Sequence, residues 1–159
     1  MHRYVLALLI VASPFSAFAG ELPKEGSYDF NSCWSGVNTV ITFSKTHTAS
    51  SFEQTGTTRS NPPGGIFDKS TFRCVGMNAS LDGKITASTV CESIDVDGDK
   101  RLTYFSTGDG KTTRTNIAGT GKYEGMITTG TLEPLGPFPA IKDGTSQNCN
   151  HQTGTYKLK

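Results

Sequence analysis

The sequence lacks a long apolar run and an excess of charge of either sign. The apolar stretch at residues 4–12 is nine residues long, whereas a membrane-spanning helix needs roughly 20, so membrane insertion is not expected. The chain has 15 Lys and Arg residues against 14 Asp and Glu. Nucleic acids and anionic membranes select a basic patch, so neither is expected as a partner. The adjacent basic pair Lys100 and Arg101 is typical of a solvated turn.

Helical periodicity is also missing, because no stretch after residue 27 maintains it for ten residues. Short segments of strand-forming residues are separated by turn residues instead. Ser35 and Gly36 are expected to end the first strand, and Val37, Ile41 and Phe43 of the second are expected to form one wall of a core. The pattern predicts an all-β, antiparallel barrel of about eight strands in up-and-down order. A closed barrel of that size can fill itself or hold one small ligand.

Residues 1–19 have the features of a secretory signal peptide. A basic start at His2 and Arg3 precedes the apolar stretch, and Ala17 and Ala19 surround Phe18 in a small-x-small cleavage site. Cleavage leaves residues 20–159 as one β-barrel domain. This domain has 14 basic and 14 acidic residues, because only Arg3 is lost. We expect a periplasmic or secreted protein.

Four cysteines lie in the predicted mature chain, and an even number in an oxidising compartment predicts two disulfides. Cys74 and Cys91 each stand eight residues from a predicted hairpin turn at positions 82–83, so they are expected to face each other across a ladder. Cys33 and Cys149 are then expected to join the first strand to the last and to hold the barrel shut.

Two irregular segments, residues 56–67 and 134–144, interrupt the strands. Segment 56–67 contains two consecutive prolines followed by two glycines. Loops longer than about 12 residues are uncommon in compact domains unless they cover or bind something. This segment is therefore a candidate rim of a binding site, with an inert surface loop as the alternative.

The carboxylates of Asp95, Asp97 and Asp99 resemble the start of a calcium loop. An EF-hand also needs Gly at position 6 and Glu at position 12, but Lys100 and Ser106 occupy those positions. The sequence therefore predicts a hairpin turn that uses Asp and Gly for its backbone angles. No metal site is predicted.

Catalytic and nucleotide-binding motifs are incomplete. The Gly-Thr-Gly-Lys run at 119–122 is not a phosphate loop, because Asn116 and Tyr123 stand where Gly and Ser or Thr are required. His47 and His151 have no paired spacing for zinc, and no serine lies in a strand-to-helix elbow. We predict no catalytic residue and no cofactor.

The segment Gly119–Met126 (GTGKYEGM) has glycines at 119, 121 and 125, which indicate a bent backbone feeding a late strand. The Gly-Thr-Gly-Lys run, the aromatic residue after it and the later glycine resemble a segment shared by dirigent proteins and allene oxide cyclases. The resemblance covers residues 118–130. It implies the allene oxide cyclase barrel-like fold, a calycin-like barrel of eight antiparallel strands whose open end can hold a hydrophobic small molecule.

Three functions are compatible with these observations. The first is a binding protein for a small, mainly apolar ligand, with Trp34, Phe43 and Tyr104 as wall residues and His47 as a polar contact. These aromatics pack a solid interior in the alternative interpretation. The second is a cofactor-free cyclase or isomerase, which requires an inward-facing ionisable group of perturbed pKa. The third is an interaction or inhibitor module acting through the two irregular segments.

Overall fold

A computed structural model describes residues 23–159, and the predicted signal peptide lies outside this range. The described chain forms eight strands. They are β1 (Glu25–Thr42), β2 (His47–Ser60), β3 (Thr71–Leu81), β4 (Lys84–Ile94), β5 (Lys100–Gly108), β6 (Lys111–Gly119), β7 (Ile127–Pro134) and β8 (Thr145–Lys157). A short 3-10 helix, Gly121–Tyr123, connects β6 to β7. No helix within residues 23–159 is long and apolar enough to span a membrane.

The strands make one antiparallel sheet in the order β6-β5-β4-β3-β2-β1-β8-β7. The sheet curls into a nearly closed barrel, with β6 and β7 approaching each other across the remaining seam. The predicted all-β class and the predicted eight strands are confirmed. The first and last strands meet as predicted, since β1 and β8 form a continuous ladder from Glu25–Lys157 to Val37–Thr145. The open seam therefore lies between β6 and β7.

The predicted break at Ser35 and Gly36 is wrong, since β1 continues through both residues. Gly36 allows β1 and β2 to approach each other closely, because a Cβ atom at this position would lie 2.7 Å from Cγ of Gln54 on β2. The predicted core face of this strand is also wrong. Val37 and Ile41 are 61% and 69% exposed, because the even-numbered residues of β1 face the barrel interior.

The hydrophobic core lies at the end of the barrel where β1 begins and β2 ends. Its buried members are Tyr28, Phe30, Ile66, Phe67, Tyr123, Met126 and Tyr156. Ile66 and Phe67 come from the connection between β2 and β3. Both residues belong to segment 56–67, which was interpreted as a candidate rim or an inert surface loop, but the connection folds inward and closes this end of the barrel.

Both predicted disulfides are present. Cys33 pairs with Cys149 across the β1–β8 ladder, and Cys74 pairs with Cys91 across the β3–β4 ladder. Cys74 and Cys91 are buried inside the barrel, whereas Cys33 is on its outer surface. Two such bonds are typical of an oxidising, extracellular-type environment.

Asp95 fixes the 3-10 helix to the turn between β4 and β5. Its side chain is only 3% exposed, and its Oδ2 atom lies 2.7 Å from Nζ of Lys122 and 2.8 Å from the hydroxyl of Tyr123. Its Oδ1 atom accepts hydrogen bonds from the backbone N–H groups of Asp97 and Asp99. These aspartates therefore organise the turn, as the sequence indicates, and Asp95 also anchors a second segment. Among the described residues, no cluster of His, Cys, Asp and Glu has the arrangement of a metal site.

Replacing Asp95 by Asn is expected to lower the free energy of unfolding by about 1.5–3 kcal/mol at pH 7, because charge-assisted hydrogen bonds are lost. Burial alone raises the pKa of Asp95, but hydrogen bonds from Lys122 and Tyr123 outweigh it and hold the pKa below the ordinary 3.8. The carboxylate therefore contributes fully above about pH 4, and its contribution disappears as the pH falls through the lowered pKa. Urea denaturation at pH 7 and pH 3 measures both effects.

The matched control for this prediction is Asp97→Asn. The Asp97 side chain also contacts Lys122 but is 67% exposed, so its loss is expected to cost less than about 1 kcal/mol. Equal losses for the two variants would contradict the anchoring role of Asp95.

Candidate functional site: the barrel interior

A cavity of about 260 Å³ occupies the barrel interior beside the core. Its apolar wall consists of Phe30, Trp34, Phe52, Phe72, Phe105 and Leu132. Thr107 and Thr112 line the cavity where β5 turns into β6, and Thr112 is exposed. The cavity therefore reaches solvent at the end of the barrel opposite the core.

Glycines on neighbouring strands leave room for two of the aromatic rings. Phe52 is paired with Gly76, and Phe72 with Gly56, across the β2–β3 ladder. A Cβ atom at Gly76 would lie 2.6 Å from Cζ of Phe52, and one at Gly56 would lie 2.5 Å from Cζ of Phe72. Both rings therefore pack over a glycine of the neighbouring strand, where a larger residue would collide with them.

Two arginines point into this interior. Arg101 is 3% exposed, and its guanidinium carbon lies 3.9 Å from the ring centroid of Phe67 and 5.1 Å from that of Tyr123. The guanidinium carbon of Arg114 lies 5.2 Å from the same Phe67 centroid. Both side chains line the cavity. The two cations therefore share one aromatic ring at the base of the cavity.

Neither arginine forms an ion pair within residues 23–159. Nε and Nη1 of both Arg101 and Arg114 are buried and have no hydrogen-bond partner in the described structure. Burial, with additional repulsion from Arg114, lowers the pKa of Arg101 to about 9. Burial also lowers the pKa of Arg114. Arg101 remains protonated at pH 7, since its pKa stays above 7.

Other unpaired donors lie close by. Nε1 of Trp34 and Nδ2 of Asn116 are buried without a partner among residues 23–159. Asn116 accepts a hydrogen bond from the cavity residue Thr103. The cavity wall contains Ser, Thr, Asn and Gln side chains but, in the described chain, no Asp or Glu. The buried atoms that lack a partner around the cavity are therefore nitrogen donors.

Of the four predicted ligand contacts, the structure brings only Trp34 to the cavity. Phe43 is 88% exposed in the β1–β2 turn. His47 begins β2 directly after this turn, and its Nδ1 atom lies 3.1 Å from Oγ of Ser44 in the turn. Tyr104 lies on the outer face, because the odd-numbered residues of β5 point inward. The prediction that these residues share one cavity is corrected accordingly.

The cavity arginines were missed from the sequence. The pair Lys100 and Arg101 was predicted to be a solvated turn, but Arg101 begins the inward face of β5. The available signal was strand alternation, since Arg101, Thr103 and Phe105 share one face. The sequence around Arg114 gives a weaker indication of an inward position, because the neighbouring inward residues of β6, Thr112 and Asn116, are polar.

The fold and its interior define a class: a small antiparallel β-barrel with eight strands, two disulfides and an internal cavity. No protein-family model, curated protein or solved structure matches this chain. The resemblance of residues 118–130 to dirigent proteins and allene oxide cyclases therefore stays a prediction.

Proposed function

We propose that this protein binds a small, mainly apolar molecule inside its barrel. The observation that supports the proposal is the cavity itself, which has aromatic walls and reaches solvent near Thr112. Ligand cavities usually measure about 300–1,000 Å³, so 260 Å³ fits a compact ligand of one or two rings. The predicted signal peptide and the disulfides support binding in the periplasm or outside the cell.

The proposal can be tested with the neutral two-ring dye 1-aminonaphthalene, whose emission shifts to shorter wavelength in apolar surroundings. We expect saturable binding to the wild-type protein. Thr89 lines the cavity, so Thr89→Phe should fill part of it and weaken dye binding at least roughly tenfold, about 1.4 kcal/mol. Native mass spectrometry should give one dye molecule per chain.

Thr86→Phe is the matched control. Thr86 lies on the same strand but is exposed on the outer face, so the same substitution there should leave dye binding unchanged. Equal weakening by both variants would indicate binding outside the barrel. An absence of saturable binding to the wild-type protein would contradict the proposal.

A cofactor-free cyclase or isomerase is the second candidate, since Arg101 is an inward-facing ionisable group of perturbed pKa. A guanidinium that is charged at pH 7 stabilises negative charge but does not abstract protons. Such an enzyme would therefore use Arg101 to stabilise an anionic transition state.

An interaction module is less well supported. Ile66 and Phe67 are buried, although the loop-mediated function requires them to be exposed. Leu135, Phe138 and Ile141 remain exposed in the connection between β7 and β8. Only that second connection therefore keeps the apolar surface that such a function needs.

A further inference from the structure

We propose that the bound molecule is an anion, with a carboxylate or related oxyanion held by Arg101 and Arg114. This inference rests on the proposed function and names its ligand class. The ligand is a compact aromatic or branched molecule with an apolar body and a single anionic group.

The first argument is the unbalanced buried charge. Transferring a cation from water into a protein interior is strongly unfavourable unless a partner offsets the lost hydration. Here the guanidinium groups face aromatic rings, and cation–π contacts offset only part of this desolvation cost. The Nε and Nη1 donors of both arginines remain unpaired within the described chain. An anionic ligand would supply the missing acceptors.

The second argument is the position of the two cations. The guanidinium carbons of Arg101 and Arg114 lie 3.9 Å and 5.2 Å from one ring centroid, that of Phe67. Arg114 is also close enough to Arg101 for their charges to repel each other, so a single oxyanion between the two groups would contact both. Guanidinium groups bind carboxylates and phosphates through paired N–H donors, which gives geometric specificity as well as affinity.

The third argument is the lack of a competing acid. Asp95 is the nearby buried carboxylate, and its oxygens are already occupied by Lys122, Tyr123 and backbone N–H groups. The cavity wall in residues 23–159 contains no Asp or Glu. The charge balance therefore disfavours a cationic ligand and favours an anionic one.

The apolar part of the ligand would extend from the arginines toward the open end. Phe52 and Phe105 line the cavity there. The cavity of about 260 Å³ is too small to enclose a long alkyl chain. This limit favours ring compounds or short branched chains.

The test compares matched ligands by isothermal titration calorimetry: 2-naphthoate, its neutral isostere 2-naphthamide, and 2-naphthyl phosphate. We expect 2-naphthoate or 2-naphthyl phosphate to bind at least roughly tenfold more tightly than the amide, since hydrogen bonds to charged groups are strong. Comparison of the two anions distinguishes a carboxylate site from a phosphate site. The preference should be lost in Arg101→Met and Arg114→Met.

Arg73→Met is the control, because Arg73 lies outside the cavity and is paired with Glu53 at the surface. It should keep the preference for anions. A second measurement separates a binding role from a structural one. Without ligand, Arg114→Met should unfold at the same temperature as the wild type or higher, because it removes an uncompensated buried charge.

The outcomes separate the two proposals. If the amide binds as tightly as both anions, the anion inference fails and the proposed function stands. If none of the three compounds binds, the proposed function fails too. If the arginine variants do not fold, the wild-type preference among the three compounds still decides the inference. A lower unfolding temperature of Arg114→Met with an unchanged anion preference would assign Arg114 a structural role and overturn its place in the site.

Discussion

Replacing Phe67 by Ala is expected to lower the free energy of unfolding by about 3–5 kcal/mol. Phe67 is 0% exposed, and its ring centroid lies 5.2 Å from that of Tyr28 and 5.3 Å from that of Phe30. Both cavity arginines also stack on this ring. The truncation therefore removes core packing and the surface that holds the two cations. Urea denaturation followed by circular dichroism measures the loss.

Phe43→Ala is the matched control for this prediction. The same atoms are removed from a side chain that is 88% exposed, so the change should stay within about 0.5 kcal/mol. The sequence alone favours the opposite ranking, because Phe43 was predicted to line the wall and Phe67 to lie in an open loop. Equal losses would contradict the assignment of Phe67 as the centre of the core.

Removing the outer disulfide is expected to cost about 4–5 kcal/mol in the chain-entropy model, since its loop is long. Cys33 and Cys149 are separated by 116 residues, compared with 17 for Cys74 and Cys91. Cys33 is exposed, so Cys33→Ala leaves little void in the core. Guanidinium denaturation of oxidised protein measures the effect.

The control for this prediction compares the two single variants with the double variant. Cys33→Ala, Cys149→Ala and the double variant all abolish the same bond, so their losses should agree within about 0.5 kcal/mol. A loss below about 2 kcal/mol in all three would contradict the entropic stabilisation. A much larger loss in the double variant would indicate that the side chains contribute more than the bond.

Much of the fold is predictable from local signals in the sequence. The Asp82–Gly83 turn has both residues at positive φ, and it places Cys74 opposite Cys91 as predicted. Strand-forming segments between such turns gave the class and the number of strands. These features depend on neighbouring residues, which is why sequence reasoning finds them.

The inward face of each strand was harder to predict. Apolar alternation favoured Val37 and Ile41 as core residues, but the barrel leaves both exposed. On β6 the inward residues are Thr112, Arg114 and Asn116, a pattern that is typical of a solvated face. Arginine is seldom buried, so neither cavity arginine was a candidate. The set of side chains that line the cavity is therefore known only once the strands are assembled into the barrel.

The sheet order has a consequence for how the chain folds. β1 lies between β2, which follows it directly, and β8, which comes at the far end of the chain. Pairing between such distant segments is slow, because a long loop must close first. One edge of β1 therefore remains unpaired during folding until β8 binds to it. An unpaired strand edge can form hydrogen bonds with strands of other molecules. Self-association during refolding should be greatest in that interval and should end when β8 docks.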